Sequence, residues 1–310
     1  MPTEEADLDR PLIIVGQGLA GTLAALRAEA RGISFVVVDE GSGSASRVAA
    51  GLFNPLTGPR FSADTLGWEI LVPYYRELEL LLGQSFVHTL PLRRPWTGAK
   101  IGAEAFPRTA PGWRATADAE GVWIEGGGWV DLPRLLEAAR SRWADAGRLE
   151  QRNFDPAEGR GGSVLWCGGA SDFTGPWRAV PEVADRWQPV RGDLLTVRIP
   201  DLDLGHAEVG PRFLIPLGSQ LYRWGATHES DVDHRGIRPE ARALLEAELR
   251  LRLGKLPFEV VDHQWGVRPA SRTKAPILAV HPRESGWTLF NGFGGRGVAW
   301  IPRWLDRLGW

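Results

Sequence analysis

Leu12-Ile13-Ile14-Val15 is an unbroken apolar run, the pattern of a strand buried on both faces of a parallel sheet. An alanine-rich stretch with helical spacing follows it and ends near Gly32. Phe35-Val36-Val37-Val38 then reads as a second buried strand, closing at Asp39, so the chain opens with a strand–helix–strand unit. A helix is expected from about Thr65 to Leu82. The Pro-, Gly- and Trp-rich stretch from Pro91 to Gly128 has no sustained helical period. Asp131 is placed to cap a helix running to Ala146, with Pro133 in the first turn, where a missing N–H is harmless. Ser163-Val164-Leu165-Trp166-Cys167 is a further buried strand ending on Gly168-Gly169. From Pro189 to Thr227 the pattern becomes antiparallel, with strands at 213–217 and 221–226 around a Gly218-Ser219 turn. Residues 239–253 form an amphipathic helix stopped by Gly254. Residues 288–290 read as a strand, and 292–297 as a glycine loop feeding a last helix.

Parallel-sheet elements therefore sit at the beginning, middle and end, with antiparallel material inserted twice between them. This predicts two domains that interleave in sequence. Composition narrows the class. The 310 residues suffice for a large core without staples, and 43% apolar with 24% charged residues is ordinary globular composition. A net charge of −2 offers no drive toward nucleic acid or anionic membrane. A single cysteine, Cys167, excludes an internal disulfide and any cysteine-built zinc or iron–sulfur site. The start MPTEEADLDR is acidic and polar, unlike a signal peptide, and no apolar run approaches the ~18 residues of a membrane span. A cytoplasmic protein is expected. The arginine excess and the 15 tryptophans are read as compositional bias and core filling.

Candidate chemistry begins at Gly16-Gln17-Gly18-Leu19-Ala20-Gly21, a GxGxxG between the first strand and the first helix. Gly16 permits the tight turn, Gly18 lets backbone N–H groups approach a pyrophosphate, and Gly21 allows close helix–strand packing. The helix start supplies orphan donors and a positive dipole end. Asp39, 18 residues beyond Gly21, is placed to accept from ribose hydroxyls and would repel a 2′-phosphate. This is a dinucleotide site; the glycine loop alone leaves open which dinucleotide. In the segment Ser44-Ala45-Ser46-Arg47-Val48-Ala49-Ala50-Gly51-Leu52, small residues would let main chain lie against a flat ring system.

Three motifs spread over nearly the whole chain resemble those of the D-amino-acid oxidase and glycine oxidase superfamily of FAD enzymes. They are the N-terminal fingerprint with Asp39, the run Val48-Ala49-Ala50-Gly51-Leu52, and Trp265-Gly266-Val267-Arg268-Pro269 followed by Asn291-Gly292-Phe293-Gly294-Gly295-Arg296-Gly297-Val298. The resemblance implies an α/β fold of the glutathione-reductase-like FAD type, a Rossmann-type FAD-binding domain with an interleaved antiparallel-sheet substrate domain. The expected division is residues 10–75, 130–188 and 262–310 for FAD, and 76–129 and 189–261 for substrate. It implies non-covalent FAD held by Gly16, Gly18, Leu19, Ala20, Gly21, Asp39, Glu40, Ser46, Arg47, Ala49, Ala50, Gly51, Leu52, Gly168 and Gly169. From the last loop, Gly292, Gly294, Gly295, Arg296, Gly297 and Val298 complete the set. It implies that Arg268 forks onto a substrate carboxylate, and that Arg296 and the last helix start hold charge at the flavin's pyrimidine edge. A small-molecule amine would be oxidised by hydride transfer to the flavin, with dioxygen or another acceptor reoxidising it.

One position departs from the family. Phe213 stands where these oxidases commonly have a carboxylate-binding tyrosine, and its ring cannot donate that bond, worth about 1.5–3 kcal/mol. Either the substrate is not a simple amino acid, or Tyr222 or a water substitutes, and Trp224 and Trp265 suggest a more aromatic or bulkier pocket. The run His228-Glu229-Ser230-Asp231-Val232-Asp233-His234 lacks fixed ligand spacing and reads as a solvated acidic loop, so no metal is expected. Two other readings stand beside the amine oxidoreductase. The glycine-rich ending also resembles the oxidoreductase half of a bifunctional tRNA wobble-uridine modification enzyme, against which the absence of a basic run counts. The other is a flavoprotein with structural FAD and no amine oxidase activity.

Overall fold

The computed structural model describes residues 10–41, 43–58, 60–63, 67–96, 102–233 and 236–310. Two large sheets organise them. The first runs Leu149–Glu150, Phe35–Val38, Leu12–Val15, Val164–Trp166, Trp287–Asn291, Ile277–Val280, parallel throughout except for the last pair. Its central strands are covered on both faces because they carry apolar residues at successive positions. Ile14, Val37 and Leu165 face the helices Leu19–Ala30 and Leu132–Asp145. Val164, Trp166 and Leu289 face the opposite way, into a cluster holding Trp177, Trp187 and Trp287. Asp131 caps its helix as the sequence predicts, accepting from the Arg134 N–H at 3.2 Å.

The second sheet has nine strands, antiparallel except where Ala207–Val209 runs parallel to Leu92–Pro95. Five of its strands come from residues 190–268 and four from the Trp-rich stretch, whose short strands explain its lack of helical period. The strands Val190–Arg198, Phe213–Gly218 and Leu221–Gly225 bury one face against the helix Pro239–Leu253 and turn the other toward the parallel sheet. The mixed α/β architecture agrees with the fold class expected from the motifs. Three expected domain limits fall inside elements: 75/76 cuts the helix Leu71–Leu82, 129/130 cuts the strand Gly128–Val130, and 261/262 cuts the strand Glu259–Arg268. That helix begins after a 3₁₀ turn at Trp68–Ile70, and the expected start at Thr65 lies outside the described residues. Among the described residues no helix is long and apolar enough to cross a membrane.

Candidate active site

An elongated cleft of about 900 Å³ lies between the two sheets, across the carboxyl ends of the central parallel strands. Ligands of open α/β sheets bind at such strand ends, where the chain turns away and exposes backbone donors.

The first glycine loop is built by contacts only glycine allows. Gly16 has φ +95°, and a Cβ there would lie 2.8 Å from the Cys167 carbonyl oxygen. A Cβ at Gly21 would come within 1.9 Å of the Gly16 carbonyl oxygen. Gly21 therefore packs helix on strand and does not line the cleft, whereas Gly16, Gly18, Leu19 and Ala20 do. Gly18 gives its helix no side-chain cap, and the Leu19 N–H goes to Ser46 Oγ at 3.0 Å. Asp39 closes the loop, accepting from the Gln17 N–H at 2.8 Å and the Gly41 N–H at 2.9 Å, and it faces the cleft beside Glu40. Gln17 bolts the loop to the neighbouring helix by donating to the Leu136 carbonyl at 2.7 Å. Its signal was available as a polar residue inside the fingerprint. Arg47 does not line the cleft; it donates to Gln17 Oε1 at 3.1 Å and lies 3.9 Å from Glu137.

Ala49, Ala50, Gly51 and Leu52 form one wall. Gly51 is required there, since φ is +69° and a Cβ would meet the Val130 carbonyl oxygen at 1.9 Å. Gly168 and Gly169 line the cleft beside Asp172, a buried acid that the motif reading passed over. Its carboxyl accepts from the Gly168 N–H at 3.0 Å and Asn291 Nδ2 at 2.8 Å. Burial pushes its pKa up to about 7, against the pull of those two hydrogen bonds. Asn291 thereby ties the middle glycine turn to the last one. Gly292 is a turn residue outside the cleft, and Gly294, Gly295, Arg296, Gly297 and Val298 line it. The Arg296 guanidinium lies 4.8 Å from the Trp300 ring centre.

At the other end Arg268 terminates the strand Glu259–Arg268. Its guanidinium lies flat over Gly192, where a Cβ would fall 2.3 Å from Nη2, and Nη1 donates to the Thr227 carbonyl at 3.2 Å. Burial lowers its pKa, opposed by the Asp193 carboxylate. Among the described residues it forms no ion pair. Asp193 itself is fully buried and committed to Arg191, at 2.9 and 3.0 Å, and to His263 Nε2 at 3.1 Å. Arg191 in turn lies 4.4 Å from the ring centre of Trp265, which lines the cleft.

Phe213 lines the cleft, and Tyr222 does not take its place. Phe213 stands opposite Gly225 in the sheet, and Tyr222, three residues away, falls on the other face because side chains alternate. Its hydroxyl donates to the Leu202 carbonyl within the core beneath Pro239–Leu253. Trp224 shares that face and donates to the Leu245 carbonyl at 2.9 Å, so of the two suggested tryptophans only Trp265 reaches the cleft. The 228–234 run is divided. Glu229 and Asp231 are paired with Arg238, His234 lies outside the described residues, and His228 turns into the cleft.

The donor set fits a flavin dinucleotide: N–H groups at a helix start, an acid at the second strand end, a small-residue wall and a cation-flanked last loop. Comparison with known proteins agrees. The glycine oxidase structure from Geobacillus kaustophilus superposes with a TM-score of 0.75 at 19% identity, covering 96% of this chain and 93% of that one. Iminodiacetate oxidase from Chelativorans sp. gives 0.67 at 20% identity, covering 95% and 93%. In sequence, the chain is 24% identical to the tRNA 5-methylaminomethyl-2-thiouridine biosynthesis bifunctional protein of Delftia acidovorans. That alignment takes in 95% of this chain but only 57% of the relative's length. The profile of the DAO family, FAD-dependent oxidoreductases, matches residues 11–303, and the chain belongs to that family.

Proposed function

We propose that the chain holds FAD non-covalently along the cleft and oxidises the C–N bond of a small, carboxylate-bearing amine. Arg268 carries this reading. A partly desolvated guanidinium with no carboxylate partner among the described residues is poised for a ligand anion, which it can grip through two parallel hydrogen bonds. The structural neighbours named for glycine and iminodiacetate oxidation give the same substrate chemistry. Flavin, when bound, supplies a two-electron acceptor for the hydride leaving the carbon beside nitrogen. The chain's own residues bind and orient. The start of Leu19–Ala30 and the Gly16 turn hold pyrophosphate, and Asp39 offers its remaining lone pairs to ribose. The Ala49–Ala50 wall backs the ring. Arg296 and the start of Gly297–Trp304 place positive charge at the ring's pyrimidine edge. Phe213 and Trp265 exclude water around the reacting carbon. Dioxygen is the proposed final acceptor. Cys167, the one thiol, is buried against the first glycine loop, with its pKa pushed up by burial, so it forms no flavin tether.

The purified protein is expected to carry about one FAD per chain, all released on acid precipitation. Anaerobic bleaching of the flavin band across glycine, sarcosine, iminodiacetate, D- and cyclic amino acids identifies the substrate. Arg268→Ala should lower kcat/KM for that substrate by about 30- to 1,000-fold (~2–4 kcal/mol) at unchanged FAD content, and Arg268→Lys should restore only part. Bleaching by no amine supports structural FAD; parallel loss of FAD and turnover makes Arg268 structural. The bifunctional relative favours a second reading, an amine borne on tRNA, which predicts salt-dependent tRNA binding.

A further inference from the structure

We infer that His228 takes the proton from the substrate's ammonium group beside the Arg268 anchor. The inference rests on the reading that Arg268 holds a substrate carboxylate. An α-amino acid arrives with a protonated nitrogen, whose lone pair must be freed before the adjacent carbon can release hydride. The amine lies one carbon from the carboxylate, so the acceptor has to stand next to the anchor.

His228 occupies that place. It directly follows Thr227, whose carbonyl receives the Arg268 Nη1 hydrogen bond, and its side chain opens into the cleft. The acids lining the cleft among the described residues are Asp39, Glu40 and Asp172, all at the dinucleotide end. At the Arg268 end the facing ring of Phe213 can accept no proton, and His228 is the histidine of the lining. The groups around it set its protonation state. Burial lowers its pKa, as do the cations Arg268 on its strand and Arg212 ahead of Phe213, while the Ala226 backbone raises it. Nearby carboxylates are engaged elsewhere: Glu229 with Arg238, Asp193 with Arg191 and His263 on the far face of the sheet. The imidazole is therefore neutral at pH 7 and able to accept.

The step breaks one ammonium N–H bond and forms an N–H bond on the imidazole, leaving the electron pair on the amine nitrogen. That freed pair would then be available to form the C=N bond, with bound flavin supplying the acceptor for the α-hydrogen and its two electrons. Docking of the substrate carboxylate neutralises Arg268, which removes the cation that suppresses the imidazole's basicity. The anchor thus arms the base.

Two measurements on the FAD-loaded protein test this. In NMR titration, the imidazole signal absent from His228→Asn should titrate below the usual 6.5 and move up by about one unit with saturating acetate or in Arg268→Gln. In anaerobic flavin reduction by glycine and sarcosine, His228→Asn should slow reduction by about 10²- to 10³-fold and abolish the fall in rate below the imidazole pKa. Its affinity for acetate, which carries no amine, should stay within about threefold of wild type. An imidazole that titrates normally and ignores bound acetate overturns the inference alone, as does a His228→Asn pH profile that keeps the acid limb. Failure of the wild type to bind acetate removes the carboxylate anchor, and both readings fall together.

Discussion

The two ends of the cleft are made of different material. The dinucleotide end is backbone: the Gly16 and Gly51 turns, the start of Leu19–Ala30, and acids that accept from main-chain N–H groups. The Arg268 end is side chain, with a guanidinium, an imidazole and two aromatic residues in its lining. A backbone site tolerates nothing larger than hydrogen at its closest approaches, so it writes itself into the sequence as glycines at fixed spacing. A side-chain site depends on which face a strand presents, and one residue of offset moves a group from the cleft into the core.

This contrast predicts where substitutions hurt. Gly21→Val should have the largest effect, since even a Cβ would sit 1.9 Å from the Gly16 carbonyl oxygen. Helix and strand must separate, at a cost of at least about 3 kcal/mol, with loss of FAD retention. Thermal melts and flavin content check this; a valine variant that stays yellow and stable would dissolve the distinction between the two ends.

The second prediction sharpens the comparison through charge. Asp172 is forced by burial to titrate at about pH 7. An acid whose pKa is higher in the folded state binds more protons there than in the unfolded chain, so stability falls as pH rises from about 4 to about 7. Urea unfolding of the wild type at pH 5 and 7.5 should show this loss, and Asp172→Asn should show less of it. An unchanged pH dependence in the variant would place the titrating group elsewhere.

The smallest effect concerns the two faces of the antiparallel sheet. Phe213→Tyr adds a hydroxyl on the cleft face and should tighten carboxylate binding by about 1 kcal/mol, roughly fivefold. Tyr222→Phe should leave carboxylate binding alone and cost about 1 kcal/mol of stability through the lost bond to Leu202. Flavin-perturbation titrations with acetate and denaturant melts separate the two; the reverse pattern would mean that the strand presents its other face.

Much of this molecule was legible in one dimension. Leu12–Val15, Phe35–Val38 and Val164–Trp166 announced a doubly covered parallel sheet because burial on both faces requires consecutive apolar residues. The GxGxxG, the Ala49–Gly51 wall and the last glycine loop were legible as runs of small residues, and at Gly16, Gly21 and Gly51 close backbone approach leaves no room for a Cβ. Asp131 and Pro133 marked a helix start for the same local reason. The antiparallel half was less so. Tyr222 and Trp224 looked like pocket residues near Phe213, yet strand pairing set them on the buried face. His228 looked like part of a solvated acidic run, yet the approach of strand Glu259–Arg268 brought it beside Arg268. Gly192 carried no motif at all, and only the Arg268 guanidinium lying across it shows that a side chain there would displace the anchor. Local sequence determined the elements and the backbone-built cofactor end, since those depend on conformations and contacts between near neighbours. The tertiary structure decided which side chains join Arg268 and Phe213 at the proposed substrate end, because that end is assembled from register and sheet face across strands distant in the chain.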